Sequence, residues 1–266
     1  MPRSTDSWAV SFGLRAHCLR SHLRMTYGFG MNDSILVQNI GEYIAAGDTK
    51  AALRVIGREF HSRCWSLGTS SNYSVITRRK PIELLITASG KDKSSLTDND
   101  FVSVDAAGKL LDSGQANSSR SSAETLLHCL IAECVSSAGA VLHTHSVWGT
   151  TLSRRALETD QPLGALRIEG YEMLKGLQGI QTHDTTIEIP VFRNSQDMTE
   201  LSDRIRKVLQ PSCVNKTEHR PIHGFLLAGH GLYTWGKSLA EARRHIEIFE
   251  FLFEVTGQQM ILSLCP

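Results

Sequence analysis

The chain has 266 residues, of which 41% are hydrophobic and 21% charged, with a formal net charge of +1. That length buries a full core without disulfides, and a balance so near neutral gives no electrostatic reason to expect nucleic acid or a membrane surface as partner. The six cysteines (Cys18, Cys64, Cys129, Cys134, Cys213 and Cys265) form no CxxC pair, which reads as a reduced intracellular protein, and no apolar run approaches the ~20 residues that span a bilayer.

The first thirty residues differ from the rest. They carry Arg3, Arg15, Arg20 and Arg24, several serines and a single acid, Asp6. Such a start resembles an organelle transit peptide. The plainer expectation is a basic, disordered extension over residues 1–30, or a start placed too early with Met31 as the true one. A single domain would then occupy 31–266 of a cytoplasmic protein. Ile35 to Ala46 and Thr49 to Arg63 read as amphipathic helices broken at Gly47-Asp48. Tyr73 to Thr77 and Glu83 to Thr87 read as short strands, and Lys91 to Asp100 as a loop. Ser121 and Glu124 have capping-box spacing ahead of a helical stripe from Leu126 to Val135, stopped by Gly139. Ala140 to Thr144 is a strand, Glu169 to Gly176 a short helix, Thr186 to Phe192 a strand, and Thr199 to Leu209 a helix ended by Pro211. Phe225 to Ala228 and Leu232 to Trp235 are strands meeting at Gly229-His230-Gly231. Ser238 and Glu241 open a final helix running to about Met260. Strands and helices interspersed in this way predict an α/β layered domain.

The chemistry concentrates in three histidines. His143 and His145 lie two apart at the end of a strand, so their rings share a face. His230 sits between glycines at another strand end, where the backbone can turn sharply. Three imidazoles suit zinc, and also iron, cobalt or nickel, and leave a coordination position open. Neither motif alone specifies a metal.

Five short stretches in order carry a resemblance. They are Gly68-Thr69-Ser70-Ser71-Asn72-Tyr73-Ser74, Ile86-Thr87-Ala88-Ser89-Gly90, Ser122-Ala123-Glu124, His143-Thr144-His145-Ser146 and Gly229-His230-Gly231. On these the chain resembles the class II aldolase/adducin family from about Ile35 to Leu262. Ser122 to His128 and Glu172-Met173-Leu174-Lys175-Gly176 resemble its dehydratase branch, which acts on a methylthio-substituted pentulose phosphate in methionine salvage. The resemblance implies a single-domain layered fold, with a central, mainly antiparallel sheet flanked by helices. It also implies a homotetramer with its active site at a subunit boundary, and one Zn2+ per subunit on His143, His145 and His230. The expected substrate is a small phosphorylated keto-sugar, dehydrated through a metal-stabilised enediolate.

Glu172 matches the acid/base glutamate of the dehydratase motif; its plainer reading is a solvated helix charge. Glu124 matches a glutamate that is ligand or base in the aldolases, although Ser121 offers it a capping task. Asn72, Ser89, Gly90 and Ser122 match positions lining the phosphate pocket. Lys93 is read as a source of charge there or as a solvated loop lysine, and His128 as packing. The alternatives are a sugar-phosphate aldolase or epimerase of the fuculose or ribulose phosphate type, and a non-catalytic adducin-like interaction module.

Overall fold

A computed structural model describes residues 40–111, 120–210 and 221–264. The expectations for residues 1–30, for the part of the first helix before residue 40 and for Pro211 lie outside them. Residues 40–45 are helical, and Asp48 then caps α1 (Thr49–Ser62) by accepting from Ala51 N. The apolar stripe of α1, including Leu53, Ile56 and Phe60, is fully buried.

Eight strands form one sheet: β1 (Asn72–Arg79), β2 (Ile82–Thr87), β3 (Phe101–Asp105), β4 (Ala140–Thr144), β5 (Leu163–Glu169), β6 (Thr186–Phe192), β7 (Gly224–Leu227) and β8 (Gly231–Gly236). Their order is β3-β2-β1-β4-β8-β7-β6-β5, and every neighbouring pair is antiparallel except β6 with β7. The mainly antiparallel α/β architecture is therefore as expected. Four further helices flank the sheet: α2 (Thr125–Cys134), α3 (Val147–Arg155), α4 (Met198–Leu209) and α5 (Leu239–Leu262).

Alternation along the strands divides the core. Ala140 and Leu142 of β4 join the cluster built with α1 and α5, whereas Val141 joins Leu127, Ile131, Leu201 and Ile205 from α2 and α4. No helix among the described residues is long and apolar enough to cross a membrane.

Several elements depart from the sequence reading. β3, β5 and α3 were not anticipated. Glu169 ends β5, and only Glu172–Gly176 forms a turn of 3-10 helix. The capping box at Ser121 is absent: Ser121 Oγ donates to Gly108 O, and α2 starts three residues later than expected, at Thr125. Only half of the second box forms: Ser238 Oγ accepts from Glu241 N and caps α5, whereas the Glu241 carboxylate accepts from Lys237 N, one residue ahead of the cap.

A part-buried ion pair ties α1 to α5. Glu59 is 5% exposed, and Arg243 donates to both of its carboxylate oxygens at 2.6 and 2.7 Å. Removing Arg243 leaves the desolvated Glu59 with Arg63 alone, 3.2 Å away and partly exposed, a loss that outweighs the modest net value of the pair itself. Arg243→Met is expected to lower the unfolding free energy by about 3 kcal/mol. Combining it with Glu59→Leu should recover most of that loss. Urea denaturation of the single and double variants tests this, and an equal loss in the double variant would contradict it.

Candidate metal centre

Antiparallel pairing brings the histidine motifs together. β4 ends at Thr144, which lies opposite Leu232 near the start of β8. The residue leaving one strand and the residue entering the other are therefore neighbours. Close approach requires Gly231: a Cβ there would lie 2.0 Å from Thr144 O. Gly229 turns the chain into β8 with φ +67°, a conformation open to glycine. On the next strand, Asn72 of β1 lies opposite His143, whose other neighbour is Tyr233 of β8.

His230 Nε2 lies 3.1 Å from His145 Nε2 and 3.0 Å from Glu124 Oε1. The second oxygen of Glu124 is 3.9 Å from His143 Nε2 and accepts from Asn72 Nδ2 at 3.2 Å. One donor atom from each of Glu124, His143, His145 and His230 falls within 4.8 Å of every other, a set that can hold a metal ion.

The surroundings fit a divalent cation. His143 Nδ1–H donates to Leu232 O at 2.8 Å, which fixes the tautomer and leaves an acceptor lone pair on Nε2. That Nε2 is buried with no hydrogen-bond partner among the described residues. An acceptor so placed costs about 1–3 kcal/mol unless something answers it. Burial, together with the neighbouring imidazoles, holds His143 well below the ordinary histidine range and brings His145 down to about 4. Both are neutral at pH 7, the form that binds metals. Burial acts to raise the Glu124 carboxyl, but its hydrogen bond to His230, with the electrostatic coupling to the neighbouring rings, outweighs that and holds it below the usual range.

The second helix beside the cluster is α3. Its N-cap Ser146 follows His145 directly and accepts from Gly149 N. One turn on, Thr150 Oγ1 donates to His230 O, and Ser153 Oγ accepts from Gly229 N. His145 N donates to Trp65 O. None of these supports was anticipated. The missed α3 was the signal that would have revealed them.

The other residues singled out in the sequence separate into two groups. Asn72 is buried beside Glu124. Ser89 and Gly90 follow β2, where Ser89 N donates to Arg120 O in the segment leading to α2. Ser122 lies in the turn before α2, its Oγ accepting from Glu124 N. Lys93 is not solvated: it is 1% exposed and Nζ donates to Lys91 O at 2.6 Å. Burial brings its ammonium down to about 8, against the pull of Asp92, Glu124 and Asp100. Glu172 stands apart from these. It lies on the turn after edge strand β5, exposed, paired with Lys175 and His183, and outside the four-donor cluster.

A sequence model of the family described as "Class II Aldolase and Adducin N-terminal domain" matches residues 51–256. Methylthioribulose-1-phosphate dehydratase of Pseudomonas fluorescens is 42% identical over 200 residues, covering 74% of this chain and 86% of that one. The protein of the same name from Marinobacter nauticus is 45% identical over 205 residues, covering 77% and 90%. Among solved structures, L-fuculose-1-phosphate aldolase from Thermus thermophilus has a TM-score of 0.60 at 22% identity, over 81% of this chain and 97% of that one. That last likeness is one of fold alone.

His128, one turn beyond Glu124, is fully buried, with Nδ1 2.8 Å from Ser74 Oγ. Burial brings its imidazole down to about 4. In the unfolded chain the same ring takes up a proton near pH ~6.5. As pH falls, the unfolded state therefore gains its proton first. The stability present above pH ~6.5 is lost on the way to about 4, by on the order of 3 kcal/mol. Urea denaturation between pH 7 and 4 should show a flatter profile for His128→Gln than for wild type; identical slopes would contradict the assignment.

Proposed function

We propose a reaction from one premise: the chain belongs to the class II aldolase and adducin family. The reading is a metal-dependent hydro-lyase that converts 5-methylthioribulose 1-phosphate to 2,3-diketo-5-methylthiopentyl 1-phosphate in methionine salvage. The observation that carries it is identity above 40% with relatives bearing the dehydratase name, across most of both chains. The clustering of Glu124, His143, His145 and His230 supports it.

In this reading His143, His145 and His230 hold the ion, zinc, one per subunit. Bound there, it supplies Lewis acidity at the substrate's carbonyl oxygen. Asn72 and Lys93 hold the Glu124 carboxylate, by hydrogen bond and by charge respectively. Ser89, Gly90, Ser122 and Lys93 take the phosphate, helped by free N–H groups at the start of α2. Glu172 acts as base and acid. Its carboxylate removes the C3 proton and returns it to the C4 hydroxyl, which leaves as water with the C4–O electron pair. The resulting enol then tautomerises to the diketone.

Glu172 fits that role from a neighbouring subunit, because within its own it lies outside the metal cluster. Its hydrogen bond to Lys175 holds the carboxyl below the ordinary range, and so ionised, in the isolated subunit. Desolvation at a subunit boundary raises a carboxyl towards the near-neutral value that proton shuttling needs. We therefore read the protein as a homotetramer with boundary active sites, its catalytic domain spanning 31–266, working in the cytoplasm.

Three proteins decide the matter. Wild type is expected to bind the metal and release the diketone from methylthioribulose 1-phosphate. His145→Ala is expected to lose both metal and turnover. Glu172→Gln is expected to keep the metal while kcat falls by about a hundredfold or more. Metal content by elemental analysis and product identity by mass spectrometry give the readouts. A fully active Glu172→Gln removes that residue from the mechanism, and carbon–carbon cleavage in place of water loss turns the reading to an aldolase.

A further inference from the structure

A buried carboxyl lies behind the histidines. Thr144 separates His143 from His145 and, by strand alternation, faces the other side of the sheet. There its Oγ1 donates to Glu250 Oε1 at 2.9 Å. Glu250 lies in the middle of α5 and is 3% exposed, among Phe249, Leu252 and Phe253 of the core. The hydroxyl of Ser146 faces the same carboxyl and favours its ionised form, while Ser146 Oγ accepts from Gly149 N as the N-cap of α3. Glu250 forms no salt bridge among the described residues, and the charge acting on it is that of Glu254. Burial pushes its carboxyl up to about 7 against the two hydroxyls. An apolar side chain would fill this space without that cost.

We propose that Glu250 is a positioning residue for the metal centre, fixing the His143–Ser146 segment from behind through the hydroxyls of Thr144 and Ser146. The proposal rests on the metal-site reading above. β4 ends at Thr144, so His145 stands just beyond the strand ladder. Trp65 O holds its backbone N–H, and Glu250 grips the residues on either side of it. The second of those residues caps α3, which carries Thr150 and Ser153, and these hold His230 and Gly229. The grip therefore reaches all three imidazoles without touching one. Outer contacts of this kind typically change metal affinity by about 10–100-fold when removed.

The test is zinc affinity of the full-length protein, measured by competition with a chelating dye, alongside the melting point of the metal-free form. Glu250→Ala is expected to bind zinc about 10–100-fold more weakly than wild type. Glu250→Gln should stay within a factor of about three, because the amide can accept from Thr144 and donate to Ser146. Thr144→Val should weaken binding by itself, and adding it to Glu250→Ala should cost nothing further, since the contact it removes is already gone there. Wild-type affinity in Glu250→Ala overturns the proposal, as does a Glu250→Gln that falls as far as Glu250→Ala in step with its melting point. Should Glu250→Ala not fold, Thr144→Val carries the test, and wild-type affinity there is equally decisive against it. Wild type that binds no zinc instead sinks the metal-site reading itself.

Discussion

The antiparallel ladder between β4 and β8 is the constraint from which the rest of the centre follows. His145 and His230 are separated by 85 residues. Closing a flexible loop of that length costs about 4 kcal/mol in chain entropy before any contact is made. The sheet has already met that cost through Ala140 to Thr144 pairing with Gly236 to Leu232. The imidazoles then need only the local geometry of two strand ends, one leaving and one entering.

Around that junction, charge is distributed with a purpose. Burial keeps the rings of His143 and His145 neutral, so they offer lone pairs and no repulsion to a cation. Glu124 brings one negative charge and sits where a capping side chain would normally turn back to its own helix. Its carboxylate is instead committed to His230 and Asn72. Three imidazoles and a carboxylate complete a four-donor set, whereas three imidazoles alone leave a place for a substrate oxygen. Lys93 adds a buried ammonium whose charge is felt by both Glu124 and His145.

Much of this was legible in the sequence, because two periodicities carried it. Ala140–Thr144 and Thr186–Phe192 were read with the bounds the structure has. Alternation placed His143 and His145 on one face. The same rule places Thr144 on the other face, although its partner on α5 lies 106 positions away and leaves no local trace. β5 alternates as a half-buried edge strand should, but in a weak pattern of mixed size. α3 has Gly149, Thr150 and Thr151 in its middle, poor helix formers held in place by the Ser146 cap and by packing. Ser121 and Glu124 had the right spacing for a box, and tertiary contacts won: Gly108 took the serine and His230 took the glutamate. The burial of Lys93 was invisible because its neighbours Lys91, Asp92 and Ser94 are those of a solvated loop.

Aromatic rings join the metal centre to the interior. Phe225 stacks on Tyr233 with centroids 5.1 Å apart, and Tyr233 stacks on His143 at 3.9 Å, both within 12° of parallel. The innermost ring is fully buried and meets Phe192 edge-on. The orientation of His143 is thus inherited, ring by ring, from the hydrophobic interior that β6, β7 and β8 share with α2 and α4. Tight interiors transmit strain instead of absorbing it. The tilt of His143, one of the side chains that can hold a metal, is therefore set partly by phenylalanines that do not belong to the four-donor cluster, so a change of shape at those inner positions is felt at the ring.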